Sequence, residues 1–478
     1  MMTSRRSVLK MMAFAAGGAM LGQGRFAWAE PRFLSHRPPL AKRKFVSPAV
    51  EALMARTKAK IGDPELAWMF ENCFANTLDT TVQLGNLRGK PDTFIVTGDI
   101  DAMWLRDSSA QVWPYVSLAV HDKPLQQLFR GLIRRHALCI SIDPYANAFL
   151  PDPQGKTTLE WAKNDLTDMR PGVAERKWEI DSLCYPIRLA HAYWRATGDK
   201  QPFDDDWREA MRNVLATFRE QQRKHGPGSY HFQRRSEAPT ESLALGGYGN
   251  PARPVGLIHS MFRPSDDACL YPLFIPGNLF AVSVMRQLAQ MTQSLFDDRA
   301  FADECNALAD EIEQALLAHG IIHDEHGGEI WAYEVDGYGN QLFMDDANAP
   351  GLSSLAYLGC CEHDDTRYLR TRAAAWSARN PYFFNGRAAQ GIGGPHEGLR
   401  MIWPMSIIMR GLTGEGAQVS QCLQWLKTTH AGTGFMHEAF DQDDPTHFTR
   451  AWFAWANTLF GELIVQLAEH QPKLLQRS

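Results

Sequence analysis

The sequence predicts an all-α chain whose helices pair into hairpins and close on themselves as a ring. Most of the 478 residues fall into helix-like stretches of roughly 10 to 22 residues, joined by Gly/Pro/Asp-rich loops. Strand-like material is scarce. No low-complexity linker divides the chain after its first residues, and no internal repeat is visible, so closure into a toroid rests on helix count. Length alone would suggest two or three domains. Closed arrays of repeated hairpins depart from that expectation.

In chain order the expected helices cover roughly 49–60, 64–82, 104–120, 123–140, 180–197, 203–223, 277–293, 297–318, 352–361, 365–379, 398–413, 417–430 and 449–469. Pro264, Pro276, Pro350, Pro395 and Pro445 stand at helix starts or in the loops before them, and Gly198, Gly320 and Gly414 at helix ends. The expected strands are Thr93–Thr97 and Ser229–Gln233. A hairpin is expected between Glu329–Val335 and Gln341–Met344, across Asp336-Gly337-Tyr338-Gly339-Asn340.

The first residues read as an address. Ser4-Arg5-Arg6-Ser7-Val8-Leu9-Lys10 carries a twin arginine, a weakly apolar stretch follows, and Ala27-Trp28-Ala29 precedes Glu30. The apolar part is shorter than the ~20 residues of a membrane span. Residues 1–29 are therefore expected to be a twin-arginine signal peptide read by that export machinery. The mature chain would start near Glu30 and work in the periplasm or beyond, with no membrane attachment after cleavage. Residues 30–47, basic and Pro-containing, are expected to form a loose leader, and 48–478 a single domain.

Removing residues 1–29 takes away Arg5, Arg6, Lys10 and Arg25 and no acid, so the net charge moves from −5 to −9. Such a chain is a poor partner for nucleic acid or anionic lipid. The eight cysteines are scattered, without a C-x-x-C, and read as buried free thiols rather than a disulfide framework or metal site.

Five segments carry chemistry. TGDIDAMWLRDSSAQVWPY, Thr97 to Tyr115, sets Asp99, Asp101, Arg106 and Asp107 among Trp104, Trp113 and Tyr115. Carboxylates accept hydrogen bonds from sugar hydroxyls, a guanidinium donates to hydroxyl and ring oxygens, and an indole face covers the C–H side of a pyranose. The plain alternative is a helix start with acids near its positive end, but an adjacent ion pair in an aromatic run is costly to bury without a task. KWEIDSLCY, Lys177 to Tyr185, offers Glu179 and Asp181 from a loop or first turn, with N-capping by Asp181 as the alternative.

MFRPSDDAC, Met261 to Cys269, places Asp266 and Asp267 side by side, near Phe262 and Arg263. Adjacent carboxyls have pKa values that are pushed apart, which keeps one protonated as a general acid. A plain cap at Ser265 or Asp266 is the competing reading. GPHEGLRMIWP, Gly394 to Pro404, brings His396 and Glu397 as a capping pair or a substrate clamp. Zinc is improbable there, because an H-E-x-x-H helix is absent and position 400 is Arg. GFMHEAFD, Gly434 to Asp441, sets Glu438 in a short apolar segment where burial would raise it toward a general-base range. FTRAWFAWAN follows, with Arg450 expected to begin a helix bearing Trp452 and Trp455.

Other chemistries lack their signatures. There is no G-x-S-x-G elbow, no P-loop, and no strand before the glycine-rich run Gly391-Ile392-Gly393-Gly394. Asp345-Asp346 lacks the alternating spacing of a calcium loop. No metal or other cofactor is expected.

Taken together these segments resemble glycoside hydrolase family 125, the exo-α-1,6-mannosidases. The likeness runs from about residue 48 to 470. It rests on the long motifs TGDIDAMWLRDSSAQVWPY, KWEIDSLCYP, FRPSDDACLYPLFIPGNLFAV, GPHEGLRMIWPMSIIMRGL and GFMHEAFDQDDPTHFTRAWFAWANTLFGELI. The resemblance implies an (α/α)6 barrel and metal-independent hydrolysis of terminal α-1,6-linked mannose with inversion, on oligosaccharide or glycan substrates. It places the general acid in Ser265-Asp266-Asp267, with Asp266 preferred to Asp267, and the general base at Glu438. Asp101, Trp104, Arg106, Asp107, Glu179, Asp181, Arg263, Asp267, His396, Glu397 and Arg450 make up the expected binding shell. The competing readings are a glycosidase of other linkage specificity, a non-catalytic periplasmic sugar-binding protein and a twin-arginine redox enzyme.

Overall fold

A computed structural model describes residues 33–323 and 328–476, so the signal segment 1–29 lies outside the described residues. The architecture below is that of the unit Ser35–Ser478. Its helices are α1 (Pro48–Lys58), α2 (Pro64–Phe74), α3 (Asn76–Thr80), α4 (Leu105–Ala110), α5 (Lys123–Ile142), α6 (Ile180–Thr197) and α7 (Asp205–Gln221). They continue with α8 (Ile275–Phe296), α9 (Arg299–His319), α10 (Thr366–Ala375), α11 (Pro404–Leu412), α12 (Ala417–Thr428) and α13 (Ala454–His470). Short 3-10 turns at Trp113–Val120 and Leu352–Ser354 act as further helical segments.

Among the described residues, inner and outer helical segments alternate along the chain. The inner ring runs α4 with Trp113–Val120, α6, α8, Leu352–Ser354, α11 and α13, and α13 packs back on α4. Ser283 of α8 donates to the Gly359 carbonyl at 3.0 Å and ties α8 to the segment after Leu352–Ser354. Outside it lie α2 on α13, α5 on α6, α7 on α5, α9 on α8, α10 on Leu352–Ser354 and α12 on α11. Six inner and six outer segments make an (α/α)6 barrel, as expected.

The sequence explains which segments go where. Outer α7 buries Trp207, Ala210, Met211, Val214, Leu215 and Phe218, one stripe at helical spacing. Inner α13 is buried on nearly every side, with Asn457, Thr458 and Glu462 among its apolar residues. It approaches α2 closely at Gly461, where an added Cβ would stand 2.5 Å from Phe74 Cδ2.

Helix starts divide in nearly the same way, outer α12 at Gly416 being the exception. Outer helices α2, α5, α7, α9 and α10 begin at Asp63, Asp122, Asp204, Asp298 and Asp365, whose carboxylates accept from backbone N–H groups of the first turn. The N-caps of inner α4, α6, α8, α11 and α13 are Trp104, Glu179, Phe274, Trp403 and Phe453, none with a side-chain cap bond. The first N–H groups of three of these helices are satisfied by neighbouring loops: Leu105 N donates to the Asn147 carbonyl, Ile180 N to Ser260 Oγ and Ile275 N to the Tyr333 carbonyl.

Short strands brace these starts. Met103–Trp104 pairs with Ala148–Phe149, which pairs with Val173–Glu175. Leu273–Phe274 and Gln341–Leu342 flank Glu334–Val335, and Met401–Ile402 pairs with Phe440–Asp441.

Several expected elements differ. The stretch 64–82 breaks into α2 and α3, and 104–120 into α4 and a 3-10 turn containing Pro114. A hairpin of Val82–Leu87 and Lys90–Ile95 turns through Arg88 and Gly89, both at positive φ. Ser229–Gln233 makes only one bridge, Gln233 to Leu166. Glu334–Val335 does pair with Gln341–Leu342, but Glu329–Trp331 turns away to pair with Ile321–His323. The helices expected from 398 and 449 start at Pro404 and Ala454, so His396, Glu397, Arg450 and Trp452 lie in loops. The helix after Asp266 begins only at Ile275, so neither Ser265 nor Asp266 is its N-cap.

From Ser35 onward the leader residues join the folded unit. Arg37 pairs with Asp79 at 2.7 Å and with Glu51 at 2.5 Å, and Ser47 caps α1. The eight cysteines are all free thiols.

Candidate active site

The inner helices start at one end of the barrel, and the residues just before or inside those starts assemble there. Arg106, in the first turn of α4, is the hub. Its Nη1 donates to Glu179 Oε2 at 2.6 Å and to Asp181 Oδ2 at 3.2 Å, and its Nη2 reaches Asp266 Oδ1 at 3.4 Å. Its Nε lies 3.6 Å from Asp107 Oδ2. Four carboxyls around one buried guanidinium cannot all ionise at ordinary values. Burial lifts Asp107 to about 6 and Asp181 to about 6, in both cases against the pull of Arg106.

Asp266 sits on a loop at φ 65, a left-handed conformation that Asp tolerates better than most residues and that clusters at functional sites. Asn147 Nδ2 donates to its Oδ1 at 3.3 Å and to Glu175 Oε2 at 3.0 Å. Buried Lys177 donates to the Asp266 carbonyl at 2.6 Å and pairs with Glu241 at 3.1 Å. Burial alone would raise the Asp266 carboxyl, but Arg106 and Lys177 hold it well below the usual carboxylate range.

The facing half of the cluster centres on Glu438. Arg450 Nη1 donates to Glu438 Oε1 at 3.4 Å, and its Nη2 binds Asp99. Burial and the neighbouring Glu438 carboxylate raise Glu397 to about 7. Asp107 feels the charges of both Asp266 and Glu438 and so lies electrostatically between the two halves.

His396 Nδ1 stands 3.6 Å from Asp267 Oδ1. Burial opposes the imidazolium, but Asp267, Glu397 and Glu438 outweigh it and lift the imidazole to about 10. A group raised in the fold from 6.5 to about 10 contributes stability that is fully present below pH 6.5 and is lost as pH rises through 10. His396→Gln is therefore expected to shrink the fall in unfolding free energy between pH 6 and pH 9. Denaturant melts of both proteins at the two pH values check this, and an unchanged fall would show that His396 is not held charged.

The remaining expected residues separate by position. Asp101 is exposed in the 98–102 turn and makes none of the cluster's bonds. The Trp104 ring belongs to a small core with Ala102, Ala148, Leu150, Leu159, Ala162 and Ala174, while its indole N–H has no protein partner. Arg263 is withdrawn from the cluster. It donates to Glu334 Oε1 at 2.6 Å, and Glu334 Oε2 accepts from the N–H groups of Leu270 and Tyr271, so the pair pins the loop behind Asp266.

Asn147 and Lys177 also belong to the site, and Asp346 and Trp403 lie beside it through Asp267 and His396. Ser265 and Asp346 meet each other, Asp267 faces His396, and Trp403 Nε1 is buried without a hydrogen-bond partner in the protein. Asp346 was legible only as half of an acidic pair in a loop. Asn147 carried no local signal.

A barrel of this kind, with carboxyls, cations and orphaned polar atoms gathered at the inner helix starts, defines a carbohydrate-processing protein. Residues 63–465 match the family described as metal-independent alpha-mannosidase (GH125). The Schizosaccharomyces pombe protein called meiotically up-regulated gene 157 protein is 41% identical over 460 residues, covering 92% of this chain and 90% of the relative. A metal-independent alpha mannosidase of Streptococcus pneumoniae, solved in a non-productive complex with alpha-1,6-mannobiose, superposes with a TM-score of 0.85 at 38% identity. The match covers 90% of this chain and 100% of that one. A bacterial glucoamylase bound to acarbose shares the fold alone, with a TM-score of 0.50 at 13% identity over 86% of this chain and 57% of its own. The chain belongs to the GH125 family and is an α-mannosidase, a glycoside hydrolase.

Proposed function

We propose that this α-mannosidase removes terminal, non-reducing α-1,6-linked mannose from oligosaccharides or glycans, with inversion at the anomeric carbon. Asp266 acts as general acid and Glu438 as general base. The observation that carries the reading is the division of the cluster. Asp266 is held by Arg106 and Asn147, Glu438 by Arg450, and neither bonds the other. Two carboxyls on separate supports suit an acid and a base working from opposite sides of a sugar. Asp266 is preferred to Asp267 because its side chain keeps some exposure (16%), while Asp267 is 1% exposed beside His396. The linkage rests on the mannobiose bound by the Streptococcus pneumoniae relative.

In the reaction, protonated Asp266 gives its proton to the glycosidic oxygen as the C1–O bond breaks. Glu438 takes a proton from a water that attacks C1 through an oxocarbenium-like transition state. Inversion calls for carboxyl groups roughly 6.5–9.5 Å apart, and retention for ~5 Å.

The test is proton NMR of the EDTA-treated protein hydrolysing α-1,6-mannobiose beside its α-1,2 and α-1,3 isomers. Early β-mannose from the 1,6 isomer alone is expected. α-Mannose first would exclude the single displacement, and equal cleavage of all isomers would exclude the linkage.

We also propose export through the twin-arginine route to the periplasm, supported by Arg5-Arg6 and Ala27-Trp28-Ala29. Arg5→Lys with Arg6→Lys is expected to leave the precursor in the cytoplasm, and fractionation with N-terminal sequencing checks it. Normal processing of that variant would refute the route.

A further inference from the structure

Glu179 is 0% exposed, and its position is fully built. Oε2 accepts from Arg106 at 2.6 Å and from Ser182 Oγ at 2.8 Å. Oε1 is buried and no protein group donates to it. Asp266, an acceptor too, is bound to the other arm of the same guanidinium and interacts with Glu179. Two carboxyls meeting in a buried place need a donor between them, and the donor that fits is a proton on one of them.

We propose that Glu179 is the positioning residue of the acid: the Glu179–Asp266 pair shares one proton, which Glu179 keeps in the free protein and passes to Asp266 when a sugar covers it. This rests on Asp266 being the general acid. It answers a difficulty in that reading, since Asp266 by itself is held in the ionised form. Burial raises Glu179 well above its ordinary value, with Asp266 and Asp181 adding to the effect and Arg106 opposing it. A sugar over Asp266 removes its contact with water and favours the neutral form there, so the proton passes between two carboxyls held on one guanidinium.

The proton count closes. Glu179 gives its proton to Asp266, and Asp266 gives it to the leaving oxygen, which takes the electron pair of the broken C1–O bond. The attacking water forms the new C1–O bond and gives its proton to Glu438. Between turnovers Glu438 releases one proton to solvent and the pair takes one up.

The groups facing the pair are Arg106 and Asp107 from α4, Asp181 from α6, Lys177 from the segment before it, Tyr230, Cys269, and His396 from the loop before α11. Arg106, Lys177 and His396 favour the ionised Asp266, so a lone Asp266 would lose its proton at lower pH than the pair does.

Glu179→Gln keeps the shape and the Arg106 and Ser182 neighbours but has no proton to transfer. Its kcat on α-1,6-mannobiose is expected to fall about 100-fold, while 2,4-dinitrophenyl α-mannoside, whose leaving group needs no acid, loses less than about tenfold. The alkaline limb of kcat/KM on the disaccharide is expected to move to lower pH. Ser182→Ala removes a bond that steadies the ionised Glu179, so its alkaline limb should move to higher pH. That variant decides the matter if Glu179→Gln does not fold.

Equal losses on both substrates with unmoved limbs would overturn the inference. Asp266→Asn, run alongside, separates the two readings. If it too loses both substrates equally, the assignment of Asp266 as acid falls. If it spares the activated substrate and Glu179→Gln does not, only the shared proton falls.

Discussion

Glu438→Gln is expected to lower kcat on α-1,6-mannobiose by about 10² to 10⁴-fold, with KM within a few fold of the parent value. The amide keeps the size of the carboxyl and can still meet Arg450, which lies 3.4 Å from Oε1 in the parent. It cannot take a proton from water. Because the lost interaction exists only in the transition state, binding should survive. Glu438→Ala opens space for a small anion, so azide is expected to restore turnover and yield β-mannosyl azide, the product of attack opposite the leaving group. Activity of Glu438→Gln within tenfold of the parent would exclude Glu438 as the base. An α-configured azide would exclude the single displacement.

Arg106→Met is expected to cost about 3–5 kcal/mol of stability at neutral pH, besides abolishing turnover. The side chain is buried, and its loss leaves Glu179, Asp181, Asp107 and Asp266 without their shared cation. The sign of the pH dependence follows from Asp107 and Asp181, both raised in the fold to about 6. An acid raised in the fold has its stabilising share below the unfolded value and loses it as pH rises through the folded one. Arg106 opposes that loss for both groups, and without it both rise further. The penalty of the variant should therefore be largest above pH 7 and shrink toward pH 5. Denaturant melts of parent and variant at pH 5, 6 and 7.5 measure it. A penalty below about 1 kcal/mol, or one independent of pH, would show that Arg106 does not neutralise this cluster.

The outer helices were legible residue by residue. Asp63, Asp122, Asp204, Asp298 and Asp365 each cap a first turn, and a capping carboxylate before an amphipathic stretch is a local signal. The inner helices lack that signal because their N-caps are Trp104, Glu179, Phe274, Trp403 and Phe453. Their starts are fixed by strand pairs and carbonyls from distant segments, such as Asn147 for α4 and Tyr333 for α8. The expected helices from 398 and 449 therefore ran several residues early, across the loops that carry His396, Glu397 and Arg450. The hairpin at 82–95 was half seen, since Arg88-Gly89 is a weaker turn signal than Asn-Gly.

The sequence by itself determined the all-α ring, the family, and the segments that carry carboxylates, cations and aromatics, because these are properties of composition and local order. Only the tertiary structure decided what those residues do to one another. It drew Arg263 back onto Glu334, left Asp101 at the surface, and brought Asn147 and Lys177 to Asp266. It also set Glu179 and Asp266 on one guanidinium although 87 positions separate them in the chain. Burial and the sharing of a counter-charge are relations between distant segments, and no local spacing encodes them.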